Sequence, residues 1–115
     1  MKKVEAIIQP AGLKDFKAAL YDLGIHAITV SEVLDHERWP PRRQVYRGTP
    51  YELDLLPKIK VEILVSSELL EDVIDALSRI ALTNKTAVSD RLMVFDVAQA
   101  VRLRGRRRED LAAAG

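Results

Sequence analysis

The strongest constraint on the fold comes from two segments whose apolar residues recur at every second position, each followed by a segment of helical spacing. Val4, Ala6 and Ile8 alternate with Lys3, Glu5 and Ile7, while Ile59, Val61, Ile63 and Val65 alternate with Lys60, Glu62 and Leu64. A period of two sends alternate side chains to opposite sides of a pleated strand. Pro10 stops the first run, and Leu13, Phe16, Leu20 and Leu23 then follow a helical period up to Gly24, which is placed to end the helix in a left-handed cap. After the second run, Ser66 and Ser67 offer hydroxyl oxygens to the free amides of a new helix, and Glu68, Glu71 and Asp72 suit its positive end. Leu69, Leu70, Val73, Ile74, Leu77, Ile80 and Ala81 form its buried face. The β-branched stretch from His26 to Asp35 and the stretch from Leu92 to Val97 supply two more strands.

The expected order is strand, helix, strand, strand, helix, strand. This is an α+β, ferredoxin-like βαββαβ sandwich, an antiparallel sheet with both helices on one face. It occupies residues 1–104, and a basic C-terminal tail follows at 105–115. The uncovered face is expected to carry Glu5, Ile7, Thr29, Ser31, Val33, Lys60, Glu62, Leu64, Met93 and Phe95. That set suits self-association, and equally a tolerated mixed surface.

Between strands two and three lies a long loop, residues 36–54. Loops beyond roughly 15 residues without structure of their own are usually functional or disordered. Arg38, Trp39, Arg42, Arg43, Tyr46, Arg47 and Tyr51 make this one cationic and aromatic. Composition-driven disorder normally lacks aromatics, so the loop reads as a docking element.

Other function classes find little support. The 115 residues carry a net charge of +1 and no cysteine, which excludes disulfides, thiolate catalysis and cysteine-ligated zinc. No apolar run approaches the roughly 20 residues of a membrane span, and the first residues do not read as a signal peptide; a cytoplasmic location is expected. His26 and His36, the only histidines, read as polar positions at strand ends, so no metal site is predicted. Ser66 and Ser67 are caps rather than nucleophiles, and Glu52 and Asp54 belong to a solvated loop, so an enzyme is not expected.

Several separated motifs resemble the PII signal-transduction proteins. They are Met1-Lys2-Lys3-Val4-Glu5-Ala6-Ile7-Ile8, Thr29-Val30-Ser31-Glu32-Val33, Tyr46-Arg47-Gly48 with Tyr51 and Asp54, Leu56-Pro57-Lys58-Ile59-Lys60-Val61-Glu62, Val94-Phe95-Asp96-Val97 and Val101-Arg102-Leu103-Arg104. The resemblance implies a homotrimer with nucleotide sites between subunits and a long loop that engages a membrane transporter or a metabolic enzyme in nitrogen regulation. It implies nucleotide contacts at Thr29, Arg38, Thr83, Lys85, Asp90, Arg91, Arg102 and Arg104, and partner contacts at Trp39, Tyr46, Arg47, Tyr51 and Lys58. Tyr51 also matches a tyrosine that some members have uridylylated, although a plain aromatic anchor explains it as well.

Two departures bear on the effector. The family's glycine-rich phosphate turn is here Thr83-Asn84-Lys85-Thr86-Ala87-Val88-Ser89-Asp90-Arg91, without glycine and one residue longer. The Arg102 and Arg104 pair remains; at i and i+2 of a strand the two would face one side and clamp a phosphate. Trp39 stands where the family has a glutamine that ligates magnesium and 2-oxoglutarate, and Pro40 and Pro41 stiffen the loop base. The expected small-molecule effector is therefore ATP, ADP or AMP, without magnesium or 2-oxoglutarate, and no cofactor is required. The alternative reading is a cationic nucleic-acid-binding module built on Arg102, Arg104, Arg106, Arg107 and Arg108 with the loop arginines. A solvated, frayed tail accounts for the same residues more simply.

Overall fold

The computed structural model describes residues 1–36, 55–84 and 90–104 in full, together with the backbone of 42–46, 49–53 and 107–108. Arg38, Trp39, Pro40, Pro41, Arg47 and Lys85, all singled out above, lie outside the described residues.

Strand β1 (Lys2–Ile8) leads through a turn of 3-10 helix at Pro10–Gly12 into helix α1 (Leu13–Asp22). Pro10 suits the opening of that turn because its missing amide would have had no helical partner. Gly24 adopts φ +83 and closes α1. Its amide donates to the Tyr21 carbonyl and the Ile25 amide to the Leu20 carbonyl, the paired bonds of a Schellman cap. Ile25 is thereby drawn into the core at 2% exposure.

The second strand, β2 (Thr29–Asp35), begins three residues later than the sequence pattern suggests. Within the long loop the backbone forms a hairpin of its own, β3 (Arg42–Tyr46) paired antiparallel with β4 (Thr49–Leu53). This corrects the expectation of a loop without regular structure. The register sets Gln44 against Tyr51, Val45 against Pro50 and Tyr46 against Thr49, and the β-branched and aromatic residues among them favour strand pairing. Strand β5 (Leu56–Val65) then enters the main sheet, followed by α2 (Leu70–Thr83) and β6 (Arg91–Asp96). Before α2 the Leu69 amide donates to Ser66 Oγ at 3.3 Å, so the serine holds the turn that leads into the helix, whose N-cap is Leu69 and not one of the two serines.

The main sheet runs β2-β5-β1-β6, antiparallel throughout, with β5 and β1 central. That is the ferredoxin-like arrangement. Register sets Val4 against Ile63 and Ala6 against Val61, so both alternating runs turn their apolar side to the helices. Phe16 and Leu20 from α1 and Val73 and Leu77 from α2 complete the core. Full burial of each such side chain stabilises by about 1.5–3 kcal/mol. Ala76 is also buried, a position the helical pattern missed because alanine is uninformative about faces.

Past β6, strand β7 (Val101–Arg102) pairs with β8 (Arg107–Arg108). The expected boundary between domain and tail at residue 105 therefore falls inside a small ladder. The strand also stops at Arg102, and the chain is already turning at Leu103 and Arg104. Arg102 and Arg104 are thus not successive same-side residues of one strand, because a two-residue ladder must reverse immediately after it. Among the described residues no helix is long and apolar enough to cross a membrane.

Candidate functional site

The face of the sheet turned away from the helices carries the residues that alternation predicts. Thr29, Ser31 and Val33 pair with Glu62, Lys60 and Lys58, and Glu5 and Ile7 pair with Met93 and Arg91. Two sets of charges organise this face. Across its middle, Lys3 Nζ lies 2.8 Å from Glu5 and 3.3 Å from Glu62, and Lys60 lies 3.8 Å from Glu62. Hydrogen bonds to Glu5 and Glu62 raise the Lys3 pKa, and the Glu5 carboxyl is correspondingly lowered by Lys3. Lys3 Nζ also sits 5.8 Å from the centroid of the Phe95 ring, within cation-π range.

The second set stands at the end of the sheet where β2 enters the loop. Arg91 Nη1 donates to Asp35 Oδ2 at 3.0 Å and Nη2 to Oδ1 at 2.7 Å, a bidentate pair. Asp35 ends β2 and Arg91 begins β6, the two edge strands. In a flat sheet three strand spacings and four residues of rise would separate their Cα atoms by about 20 Å, too far for the two side chains to meet. The paired ends of β2 and β5 must therefore curl together toward β6, as sheet twist permits. Ile7 and Lys58 are buried, at 6% and 2%, on a face the helices leave uncovered.

Hydrogen bonding to Arg91 holds the Asp35 carboxyl below its ordinary range, against partial burial, with Lys58 and His36 adding smaller positive fields. Asp35 is the site residue that sequence reasoning passed over. Its signal was available: Thr29, Ser31, Val33 and Asp35 share one parity, so the carboxylate belongs to the open face.

Of the other expected contacts, Asp90 Oδ1 accepts the Gln9 amide at 3.1 Å, tying the residue before β6 to the end of β1. Thr83 Oγ1 donates to the Ile80 carbonyl at 2.8 Å, closing the last turn of α2. Thr29 is exposed at the far end of β2, and Arg102 and Arg104 are exposed beyond β6. The register sets Arg91 level with Ile7, Lys60 and Ser31, and Thr29 level with Met93 two residues along, with β1 and β5 between the two edge strands. Lys58, at the β5 position paired with Val33, is 2% exposed. Tyr46 and Tyr51 lie on β3 and β4, and their side chains are outside the described residues. A cavity of about 150 Å3 opens on the helix side, walled by Ile8, Phe16, Leu77 and Leu92 and rimmed by Asn84 and Asp90. Arg91 also lines it, so the walls are not apolar throughout.

The family model described as nitrogen regulatory protein P-II matches residues 1–107. The chain belongs to the P-II family. It is 39% identical over 112 residues to nitrogen regulatory protein P-II of Klebsiella oxytoca and to nitrogen regulatory protein P-II 1 of Escherichia coli K12, covering 97% of this chain and 99% of each relative. The P-II protein of Bradyrhizobium diazoefficiens is also 39% identical, over 104 residues, covering 90% of this chain and 92% of the relative. P-II membership places the chain among nitrogen-regulatory signal-transduction proteins, which are regulators rather than enzymes.

Proposed function

We propose that this P-II chain acts as a homotrimer that takes an adenine nucleotide between subunits and docks residues 36–54 on a transporter or a metabolic enzyme. The observation that carries the reading is the match over residues 1–107, which takes in the docking loop, the turn after α2 and the arginines at 102 and 104 together. The open face supports assembly, since Met93 and Phe95 stand 38% and 43% exposed there beside an ion-paired row. Exposed aromatic and thioether surface of this kind is stabilised by burial against another copy.

The effector is ATP, ADP or AMP. Magnesium and 2-oxoglutarate are left out because the Trp39 indole has no oxygen to ligate a metal and Pro40 and Pro41 narrow the backbone range beside it. Tyr51 serves as an aromatic anchor in the hairpin, and the protein works in the cytoplasm, reaching a membrane only through a transporter partner.

The test is the mass in solution together with calorimetric titration of ATP, ADP, AMP, cyclic AMP and 2-oxoglutarate. The expected result is three chains per particle, one adenine nucleotide per subunit at saturation, and no heat from 2-oxoglutarate with or without magnesium. A single-chain mass combined with silence toward every nucleotide would falsify the reading.

A further inference from the structure

We propose that Asp35 is a built-in competitor for the anion site at Arg91: its carboxylate occupies the guanidinium fork that a ligand phosphate would take, so an incoming phosphate must displace it. The inference rests on the nucleotide reading above. An arginine offers two parallel N–H donors in one fixed plane, and carboxylate and phosphate both accept from that fork. Here the fork is filled from within the chain, by both oxygens of Asp35 at 2.7 and 3.0 Å. The pair is displaceable by position: the Arg91 side chain keeps 46% of its surface exposed, so an external anion has access to it. Asp35 itself, at 12%, is held inward beside Lys58 and His36.

The arrangement also has a consequence for the loop. Asp35 is the last residue of β2, and the chain passes from it directly into residues 36–54. The curl of β2 and β5 toward β6 is tied at that point by Arg91. A phosphate on Arg91 and an anchored loop root are therefore alternatives, and ligand arrival is transmitted to the loop by release of a single carboxylate.

The experiment titrates ADP, and separately inorganic tripolyphosphate, into the wild type, Asp35→Asn, Asp35→Ser, Arg91→Gln and the Asp35→Asn/Arg91→Gln double variant at constant ionic strength. Both Asp35 substitutions are expected to tighten ADP about tenfold, and the gain is expected to vanish in the Arg91→Gln background. If the wild type binds ADP and both Asp35 variants stay within twofold of it, the competitor role is overturned and the nucleotide reading stands. An equal gain in the Arg91→Gln background overturns it too, because removal of negative charge alone would then explain the effect. Absence of binding in every variant overturns both the competitor role and the nucleotide reading. Loss of the folded circular-dichroism spectrum in both Asp35 variants would also overturn it, since the pair would then be a structural requirement rather than a displaceable contact.

Discussion

The two faces of the sheet are made by the same strands and differ only in the parity of the residues they present. On the helix side Val4, Ala6 and Ile8 meet Ile63, Val61 and Ile59 under Phe16, Leu20, Val73 and Leu77, and nearly all are under 10% exposed. On the open side the intervening residues are the ion-paired Lys3, Glu5, Lys60 and Glu62 with Met93 and Phe95, all half-buried or exposed, and the buried Ile7. The contrast separates two jobs. The helix face holds the chain folded by burial, while the open face keeps polar groups satisfied in the single chain yet leaves apolar area for another copy. A slip of one residue in any strand would exchange the two sets, and this fixes the register firmly.

The contrast is broken most severely from the helix side. Leu20 is 0% exposed between α1 and the sheet, and Leu20→Ala is expected to cost about 3 kcal/mol by denaturant unfolding, within the range for a fully buried leucine. A loss below about 1 kcal/mol would mean that the core does not depend on this contact. From the open side the expected effect is on mass rather than fold. Phe95→Asp replaces the ring opposite Lys3 with a carboxylate at the proposed contact between copies, and is expected to reduce the particle to a single chain with its circular-dichroism spectrum retained. A trimer that survives this change would show that Phe95 lies outside the contact.

The helix face was nearly all legible in the sequence, because a strict period of two and a helical period each report which side chains are hidden. Gly24 was legible for a different reason: a glycine just past an amphipathic run marks a position where a positive φ costs little. The hairpin in residues 42–53 was not, since proline and charged residues surround short paired segments that only tertiary pairing reveals. Nor was the end of the clamp expected from Arg102 and Arg104, because strand length there is decided by the reversal to Arg107 and Arg108. Arg91 was picked out through family likeness, whereas Asp35 followed from parity alone and was missed because attention lay on the cations. Opposite charges far apart in sequence meet only once sheet order and curl are known.

The smallest expected effect is the most diagnostic for the site. A carboxyl whose folded pKa lies below its unfolded one contributes stability that is present above the unfolded value and is lost as pH falls through the folded one. Asp35 is lowered in this way, first by its hydrogen bonds to Arg91, so its contribution is complete at neutral pH and disappears only below the ordinary aspartate value near 3.8. For a half-exposed pair this contribution is about 0.5–1 kcal/mol. Glu5 and Asp96 are lowered by Lys3 and Lys2 and act in the same acid window, so the wild-type curve by itself cannot isolate Asp35. The difference between the wild type and Asp35→Asn can. The two unfolding curves are expected to lie apart from neutrality down to about pH 5 and to converge as the pH is lowered further through the folded pKa of Asp35, while Arg91 stays charged throughout. Curves that remain parallel into strong acid, or coincide at neutrality, would mean that the pair between the two edge strands adds nothing to the fold, and that the curl of β2 is held by backbone pairing alone.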